Sequence, residues 1–469
     1  MIYNKMLEKV EKHQVKVAVI GAGHFGTAIV TQQNHEEWIR VALVADIKIE
    51  NARKAYERAG IPEEKQRYAD SAQACGKLID EGYFVYTDKP EMVALVPSIE
   101  LVCEGTGVPE ASAKYSYDAI MNKKHVVSIS KEMDSVIGPI LKRKAKEQGV
   151  VYSPVDGDQP SLLMALVEWA QLLGLEVISA GKARDGEFVL DEEKRTVSIR
   201  QDGITVHEDA SVRLSEEDMK YLCMIPEGRA EEYLAKRAAL LSKLPNAGAF
   251  DLCELTIVAN CTGLKPASPD LTKGTLRITE LPVAYCTKAD KGIYGSSGII
   301  DVHTNLRRAD ESGMGGGVYI VVKSPNAYSQ YIISTKGQIP NYDLSTAVIY
   351  RPYHLCGVET GTSILCAALL GVDTGSMSYK PLYDLVKIAA EDIPAGERLG
   401  NDHDLRLAAQ IRPQQKRSGA AAMPGHMITG NRTVRPIKKG EIITYDMVED
   451  RSDTLLWQLR REQEGLNWD

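Results

Sequence analysis

The chain has 469 residues, of which 44% are hydrophobic and 26% charged, and this profile fits a globular protein that buries its cores without metal or disulfide staples. Its 56 basic and 64 acidic residues give a net charge of −8, which does not favour nucleic acid as a partner. The eight cysteines are scattered without a C-x-x-C pair, so we expect reduced core thiols and a cytoplasmic protein.

Neither a signal peptide nor a membrane span is expected. The first residues are rich in charge and lack an apolar run. The most apolar stretch, 162–178, is short and is interrupted by Glu168, Gln171 and Glu176. The sequence therefore predicts no membrane partner.

Residues 15–20 form an apolar, β-branched run that predicts a buried parallel strand. A G-x-G-x-x-G motif follows directly, and a helix is predicted over 27–33, which is the context that dinucleotide binding needs. The first glycine permits a tight turn, the second lets backbone approach a pyrophosphate, and the third lets the helix pack on the strand. We therefore predict a Rossmann domain whose cofactor-binding residues include Gly21, Gly23, His24, Phe25 and Gly26.

A second strand is predicted over 41–45 and ends at Asp46. Asp46 stands 20 positions after Gly26, where a carboxylate can accept hydrogen bonds from an adenosine ribose. The same carboxylate would repel a 2′-phosphate and so favours NAD, whereas Lys48 and Arg53 could offset that repulsion. The predicted cofactor is therefore NAD or NADP.

Further strands are predicted at 99–104, 125–130 and 150–153, so the parallel sheet continues. Ligands of such sheets bind beyond the carboxyl ends of the strands. The turn after the first of these strands should therefore border the nicotinamide, and it adds Gly105, Thr106 and Gly107 to the predicted cofactor site. A helix is predicted over 139–148.

The middle third mixes helices and strands, which predicts an α+β substrate domain. A charge-rich insertion from about 184 to 214 contains alternating stretches at 196–200 and 204–208 around an Asp-Gly turn, so we predict a β-hairpin. A Ser215 N-cap opens one or two predicted amphipathic helices over 215–241. The other predicted elements are helices at 162–173, 250–262 and 355–370 and strands at 175–180 and 318–322, the latter led in by the glycines of 313–317.

Four motifs together resemble those of the homoserine-dehydrogenase-like oxidoreductases with a C-terminal SAF domain. They are GAGHFG at 21–26, DGDQP at 156–160, VANCTGL at 258–264 and YRPYHL at 350–355. Two turns that close with Gly-Glu, at 392–397 and 435–441, are similar to SAF motifs. The family includes reductoisomerase-like enzymes that convert 1-deoxy-D-xylulose 5-phosphate to 2-C-methyl-D-erythritol 4-phosphate with NADPH.

The resemblance implies an α/β protein with three domains. An N-terminal Rossmann domain would span 1–155, a central α+β catalytic and dimerisation domain 156–380, and a small β-rich SAF-like domain 381–469. One departure concerns the substrate: the reductoisomerase-like members carry Asp-Gly-Thr-Lys before the Ala-Asn-x-Thr-Gly helix, where this chain has Ala247-Gly248-Ala249-Phe250. The resemblance therefore carries over the nicotinamide chemistry and leaves the reductoisomerase substrate open.

Hydride transfer needs a group that exchanges a proton with the substrate oxygen. Lys131 is the first candidate, because its position resembles that of the lysine after the corresponding strand in homoserine dehydrogenases; the alternative is a surface lysine. Lys182 ends a strand and either binds an anionic substrate group or forms an exposed salt bridge. Asp158, as a catalytic candidate, and Gln159, as a substrate-binding one, either orient substrate hydroxyls or cap the following helix.

Three further candidates lie in the predicted substrate domain. Arg351 is expected to bind a substrate carboxylate or phosphate. His354 is an acid–base candidate, with a core histidine as the alternative, and Glu254 is either catalytic or buried and paired. No set of ligands has structural-metal spacing, so no bound metal is predicted.

Two classes of function remain open. The first is an NAD(P)-dependent oxidoreductase acting on a small polar hydroxy or keto substrate of sugar-phosphate, polyol or hydroxy-acid type, with a reductoisomerase-like enzyme as a special case. The second is a non-catalytic dinucleotide or metabolite sensor. The expected partner is a small-molecule substrate, and the expected assembly is a homodimer or homotetramer.

Overall fold

A computed structural model describes residues 2–200 and 208–468 of the chain. The chain forms two compact units. Unit 1 comprises Met1–Ser161, Leu355–Leu407 and Gln414–Asp469, and unit 2 comprises Leu162–His354 and Ala408–Pro413.

A parallel sheet of seven strands forms the centre of unit 1. Its strands are β1 (Val15–Ile20), β2 (Ile39–Ala45), β3 (Gln66–Tyr68), β4 (Phe84–Thr87), β5 (Leu101–Glu104), β6 (His125–Ser128) and β7 (Tyr152–Pro154). Their order across the sheet is β3-β4-β2-β1-β5-β6-β7, and neighbours run parallel. The winding reverses between β1 and β5, so the turns after these two strands meet at a topological switch point. The predicted Rossmann fold is confirmed.

Six helices of unit 1 precede or connect these strands. They are α1 (Ile2–Leu7), α2 (His24–Gln33), α3 (Ile49–Arg58), α4 (Ala72–Asp80), α5 (Pro109–Met121) and α6 (Lys131–Gln148). The start predicted at 139 is wrong, because α6 begins eight residues earlier and contains Pro139. Met133, Val136 and Ile137 are buried at helical spacing in the added part, and burial of this face outweighs the cost of an internal proline.

A mixed sheet of ten strands forms the centre of unit 2. Its strands are β8 (Glu176–Ala183), β9 (Phe188–Asp191), β10 (Thr196–Ile199), β11 (Ala210–Arg213), β12 (Lys265–Pro266), β13 (Gly274–Leu276), β14 (Ile299–Arg308), β15 (Val318–Lys323), β16 (Ile339–Pro340) and β17 (Ala347–Arg351). The path across the sheet is β11-β10-β9-β14-β8-β15-β17-β16, and β12 and β13 also pair with β14. The long central strands β8, β14 and β15 are almost wholly buried, which places the core along them.

Five helices accompany this sheet, and the chain enters unit 2 within the first of them. They are α7 (Gln159–Leu172), α8 (Ala230–Leu240), α9 (Ala249–Thr262), α10 (Leu281–Ala284) and α11 (Ala327–Thr335). Helix α9 packs against β14 and is buried from Asp251 to Cys261, as a helix that is apolar on all sides should be. The predicted helix at 250–262 is confirmed.

Two predictions for the middle of the chain are confirmed only in part. Strand β10 pairs antiparallel with β11, but the turn at 201–203 and most of the strand predicted at 204–208 lie outside the described residues. In the region 215–241, where one or two helices are predicted, the structure has a short 3-10 helix, Asp218–Leu222, followed by α8. Pro226 and the left-handed Gly228 interrupt the helix there.

The C-terminal segment is made of short elements. They are α12 (Thr360–Leu365) with a π-helical continuation at Cys366–Leu370, β18 (Tyr383–Ala389), β19 (Leu407–Pro413), α13 (Gly425–Ile428) and α14 (Leu455–Glu464). Strands β18 and β19 form a two-stranded sheet. The two Gly-Glu turns are joined through backbone hydrogen bonds between Ile393 and Ile437. The helix predicted from 355 begins at Thr360.

The remaining regular elements are short 3-10 helices. They span Glu63–Lys65, Pro90–Leu95, Ile278–Glu280, Lys288–Asp290 and Tyr445–Met447. Within residues 2–200 and 208–468, every helix falls short of the length and apolar character that a bilayer crossing requires. None of the eight cysteines, all of which lie in the described ranges, forms a disulfide. Cys223 is exposed and Cys356 half-buried, so the expectation that all of them lie in the core is wrong for these two.

Candidate functional site

Three glycines shape the turn after β1. Gly21 has a φ of +92°, and a Cβ there would lie 2.5 Å from the carbonyl oxygen of Gly105. A Cβ on Gly26 would lie 1.9 Å from the carbonyl oxygen of Gly21. Both positions therefore exclude a side chain, whereas a Cβ on Gly23 would meet no described atom within 4 Å. Gly23 leaves open space where α2 begins.

The start of α2 has the properties of an anion site. Its first backbone N–H groups have no partner within the helix, and no side chain of the described residues caps them. These N–H groups and the positive end of the helix dipole favour phosphate oxygens. Because Gly23 brings no Cβ into the space, a pyrophosphate can approach the backbone. The turn therefore fits a dinucleotide.

Asp46, directly after β2, lies beside this turn. Its carboxylate accepts hydrogen bonds from the backbone N–H of Ala22 at 2.9 Å and of Lys48 at 2.8 Å. Next to it is a crevice of about 340 Å³, a volume within the range of small-molecule sites. The residues that line the crevice include Gly21, Gly23, Asp46, Lys48, Gly105 and Thr106.

The other predicted cofactor residues lie around the crevice without lining it. Gly26 allows α2 to pack against the turn, and Phe25 packs on the hydrophobic core of unit 1. His24 is exposed at the first position of α2. The backbone N–H of Gly107 donates to Ser130 Oγ at 2.9 Å, which ties the second glycine turn to the start of α6.

Glu104, at the end of β5, shapes the second turn and was missed by the sequence analysis. One carboxylate oxygen accepts hydrogen bonds from the N–H of Thr106 at 2.9 Å, from Thr106 Oγ1 at 2.7 Å and from Ser112 Oγ at 3.0 Å. Burial raises the pKa of this fully buried carboxyl, and the hydrogen bonds oppose that rise. An acidic residue closing an otherwise apolar strand was the available signal.

Lys131 and Asp158 are close together in unit 1. Lys131 is the first residue of α6, and its Nζ lies 3.3 Å from Asp158 Oδ2. The Lys131 side chain is 23% exposed and that of Asp158 only 4%, so the ammonium reaches solvent while its carboxylate partner does not. Asp158 Oδ1 also accepts from the N–H of Gln159, which is buried at the start of α7. Because the Lys131 ammonium is partly exposed and is held by a buried carboxylate, it can contact a substrate.

In unit 2, the sequence candidates Lys182 and Glu254 form one buried ion-pair cluster with Asp251. Lys182 Nζ contacts Glu254 Oε2 and lies 3.0 Å from Asp251 Oδ1. Burial acts against the charged ammonium, but the carboxylates of Asp251, Glu254 and Asp185 outweigh it and raise the pKa of Lys182. Lys182 is therefore a cation at neutral pH, and the expectation of an exposed salt bridge is wrong.

Asp251 was not among the predicted site residues. It also accepts a hydrogen bond from the N–H of Gly248 at 2.8 Å, and so helps to cap α9. Its position one turn before Glu254 on a predicted helix was a signal that could have found it.

Arg351 and His354 lie at the end of β17 and just after it. The Arg351 guanidinium is 4.7 Å from the ring centroid of Tyr353, a cation–π contact. The ring of His354 lies against Gly316, where a Cβ would be 2.3 Å from it, and Asp185 borders the same glycine. The glycines before β15 therefore make room for His354 and Asp185, and they lead into a strand as predicted.

Comparison with protein-family models gives two matches. Residues 240–360 match the family described as the catalytic domain of the oxidoreductase DRL, and residues 386–449 match the SAF domain. The chain therefore contains an oxidoreductase catalytic domain and a SAF domain, as the sequence motifs predicted. Comparison with curated proteins gave no match.

Solved structures that resemble the chain include three oxidoreductases. An NADPH-dependent oxidoreductase from Desulfitobacterium hafniense is 12% identical over 37% of this chain and 45% of its own, with a TM-score of 0.26. Biliverdin reductase from Synechocystis, solved with biliverdin and NADP⁺, is 16% identical over 38% and 48%, with a TM-score of 0.25. A DOX-P reductoisomerase solved with fosmidomycin and magnesium is 12% identical over 54% and 58%, with a TM-score of 0.31. The chain spans less than two thirds of each of these proteins.

Proposed function

We propose that the protein is an NAD(P)-dependent oxidoreductase that transfers a hydride to or from a small polar hydroxy or keto compound. The open turn at Gly23, beside Asp46 and at the start of α2, carries this proposal. The oxidoreductase catalytic domain at 240–360 supports the reaction class. Substrates of sugar-phosphate, polyol or hydroxy-acid type are the classes to test.

A bound nicotinamide dinucleotide would supply the hydride donor or acceptor. The N–H groups at the start of α2 would hold its pyrophosphate, and the Gly105-Thr106 turn would border its nicotinamide end. A carboxylate has about four acceptor sites. Two backbone N–H groups and, at 3.4 Å, the Asn51 amide use three of those of Asp46, which leaves one for a ribose hydroxyl.

The surroundings of Asp46 favour NAD over NADP. A 2′-phosphate would meet the Asp46 carboxylate, and the cations that could offset the repulsion are Lys48 and Arg53. The Arg53 guanidinium is engaged with Glu50 at 3.0 Å and with Glu57. Of these two cations only Lys48 lines the crevice, so it alone could offset the repulsion between Asp46 and a 2′-phosphate.

Lys131 is the residue to which we assign proton transfer. Its ammonium donates a proton to the carbonyl oxygen when the substrate is reduced, and the amine takes that proton back when the alcohol is oxidised. Asp158 holds the ammonium in position through the 3.3 Å ion pair. In unit 2, Lys182 keeps its proton but is buried between Glu254 and Asp251, so the role proposed for it is to hold these two carboxylates and not to attract an anionic group.

The replacement Gly23→Ala tests the cofactor site. The backbone at Gly23, with φ −73° and ψ −156°, suits alanine, and the added Cβ meets no described atom, so the variant should fold as the wild type does. The Cβ takes up space that a pyrophosphate needs, so we expect the Kd for NADH to rise about tenfold or more. Calorimetric titration measures the Kd, and a urea titration checks the fold.

Gly295→Ala is the matched control, since a Cβ at Gly295 also meets nothing within 4 Å among the described residues. It should change neither the Kd nor the unfolding midpoint. An unchanged Kd in Gly23→Ala, or a wild type that binds neither NADH nor NADPH, would overturn the proposal.

The replacement Lys131→Met tests the proton-transfer assignment. With the ammonium gone, kcat should fall by about 10²–10⁴-fold, while the dinucleotide Kd stays within about twofold. The rate is followed by the absorbance of the reduced nicotinamide over a panel of sugar phosphates, polyols and hydroxy acids. Lys146→Met, on the exposed side of the same helix, is the control and should keep full activity. Equal rates in the two variants would contradict the assignment.

A further inference from the structure

The SAF segment contains a buried row of charged side chains that the proposed reaction does not use. Lys387, in β18, forms an ion pair with Asp402, and His426 Nε2 lies 3.0 Å from the other Asp402 oxygen. None of the three side chains is more than 3% exposed. All three residues fall within 386–449, so they belong to the SAF match.

The row ends near the start of α6. His426 Nδ1 lies 3.1 Å from Ser135 Oγ, and Ser135 Oγ donates to the carbonyl oxygen of Glu132 at 3.2 Å. Burial raises the pKa of the Glu132 carboxyl, and the charges of His426 and Lys131 oppose that rise. Lys131 is thus within one helical turn of both residues that the row reaches.

The same helical turn borders the second glycine turn of the cofactor crevice. Ser130, just before α6, accepts the hydrogen bond from the N–H of Gly107. The position of a Cβ on Gly107 would be 3.8 Å from Glu132 Oε1. The start of α6 is therefore held between the glycine turn and the SAF segment.

Stability alone does not account for a buried row of charges. Removing two charges from water costs several kcal/mol for each, and well-packed apolar residues of similar volume are often as stabilising or more so. The row can fix the orientation of the start of α6, which an apolar contact would not do, because hydrogen bonds fix direction as well as distance.

We infer that His426, held by Asp402 and Lys387, is a positioning residue for Lys131, so that the SAF segment sets the geometry of the active lysine. This inference rests on the role proposed above for Lys131. It also gives the SAF segment a task within this chain that needs no outside partner.

The test is the replacement His426→Ala, with two readouts on the full-length protein. The first is the split between binding and turnover: the dinucleotide Kd should stay within about twofold, while kcat falls about 10- to 100-fold. The second is the NMR resonance of Lys131 after reductive methylation with ¹³C-formaldehyde, identified by its absence in Lys131→Arg. That resonance should shift, and His426→Gln, whose amide can still donate to Asp402, should restore part of the rate.

Thr433→Val is the control. Thr433 is buried in the same segment, and its Oγ1 donates to the carbonyl oxygen of Pro394 at 2.7 Å, away from α6. It should lower the unfolding midpoint without moving kcat or the Lys131 resonance. If His426→Ala fails to fold, Ser135→Ala takes its place, since it removes only the link to α6 and leaves the pairing of His426 with Asp402.

The two possible failures have different signatures. If kcat and the Lys131 resonance behave in His426→Ala and Ser135→Ala as they do in Thr433→Val, the row is structural only and the inference is wrong. If the proposed function is wrong, the wild type neither binds dinucleotide nor turns over substrate, and the Lys131 resonance still decides whether His426 acts on that lysine.

Discussion

Two buried side chains, His303 and Asp134, have pKa values far from their ordinary ranges. Burial on β14 lowers the pKa of His303 to about 3, because it penalises the imidazolium. Burial in α6 raises the pKa of Asp134 to about 6, and a hydrogen bond from the Tyr152 hydroxyl at 2.6 Å opposes that rise. Each group binds protons differently in the folded and unfolded chain, so folding becomes pH-dependent.

The dependence from His303 has a definite sign. Between the unfolded value of about 6.5 and the folded value of about 3, the unfolded chain holds the proton and the folded chain does not. The contribution of His303 to the free energy of unfolding is therefore fully present above about pH 6.5. It falls with decreasing pH by up to about 1.4 kcal/mol per pH unit. In His303→Leu the free energy of unfolding should fall less steeply below pH 6.5 than in the wild type, which urea titrations at several pH values measure. An equally steep fall in His303→Leu and in the wild type would contradict the expectation.

Asp134 works in the opposite direction. Its folded pKa of about 6 exceeds the unfolded value of about 3.9, so its contribution is present at low pH and is lost as pH rises through about 6. The free energy of unfolding of Asp134→Asn, relative to that of the wild type, should therefore be highest at neutral pH and lowest near pH 4. Urea titrations at the same pH values measure this. If the two free energies of unfolding differ by the same amount at every pH, the expectation is contradicted.

At the scale of residues, local motifs predicted which side chains lie around the crevice, whereas contacts between distant residues escaped prediction. Gly21, Gly23 and Asp46 belong to a strand–turn–helix pattern whose physics is contained in a short stretch of chain, so their placement followed from sequence. Glu104 and Asp251 act through buried hydrogen bonds and ion pairs that composition does not reveal. The contact of His426 with Ser135 joins residues 291 apart in the chain, which no local pattern encodes.

At the scale of elements, α9 and β8 are joined by the buried cluster of Lys182, Asp251 and Glu254. Removing one member of a buried ion pair leaves a charge without compensation, which costs about 3–5 kcal/mol. Lys182→Met leaves two carboxylates facing each other, so it should lower the free energy of unfolding by about that amount. Urea unfolding of the purified variant measures the loss.

The surface pair of Lys194 and Asp191 in the same unit provides the comparison. Its side chains are 77% and 37% exposed, so Lys194→Met should cost no more than about 1 kcal/mol. Equal losses in Lys182→Met and Lys194→Met would show that the cluster does not fasten α9 to β8.

The predicted elements were most accurate where a single apolar period ran uninterrupted. Strands β1, β2 and β15 and helix α9 lie where the sequence patterns placed them. Helix starts are predicted less well: the sequence pattern begins α6 at Pro139, whereas tertiary burial extends that helix back to Lys131. The same kind of error placed a helix from 355, because the sequence does not show that the chain becomes helical only at Thr360.

At the scale of the whole molecule, unit 1 gathers the Rossmann sheet and most of the C-terminal segment, and unit 2 interrupts it. The sequence indicated the Rossmann fold, a mixed middle region and a SAF-like end, because each has its own motif. It did not indicate that the chain returns to the first unit at Leu355, since that depends on contacts between distant segments. The three-domain division, the homo-oligomer and the cytoplasmic location stay predictions.

The proposed function depends on a dinucleotide lying in the crevice at the carboxyl ends of β1 and β5. The most direct measurement is a crystal structure of the full-length protein grown with saturating NAD. We expect density for the pyrophosphate at the start of α2, the adenosine ribose within hydrogen-bond distance of Asp46, and the nicotinamide beside the Gly105-Thr106 turn. A crevice without ligand density at saturation, or NAD bound elsewhere on the protein, would contradict the account.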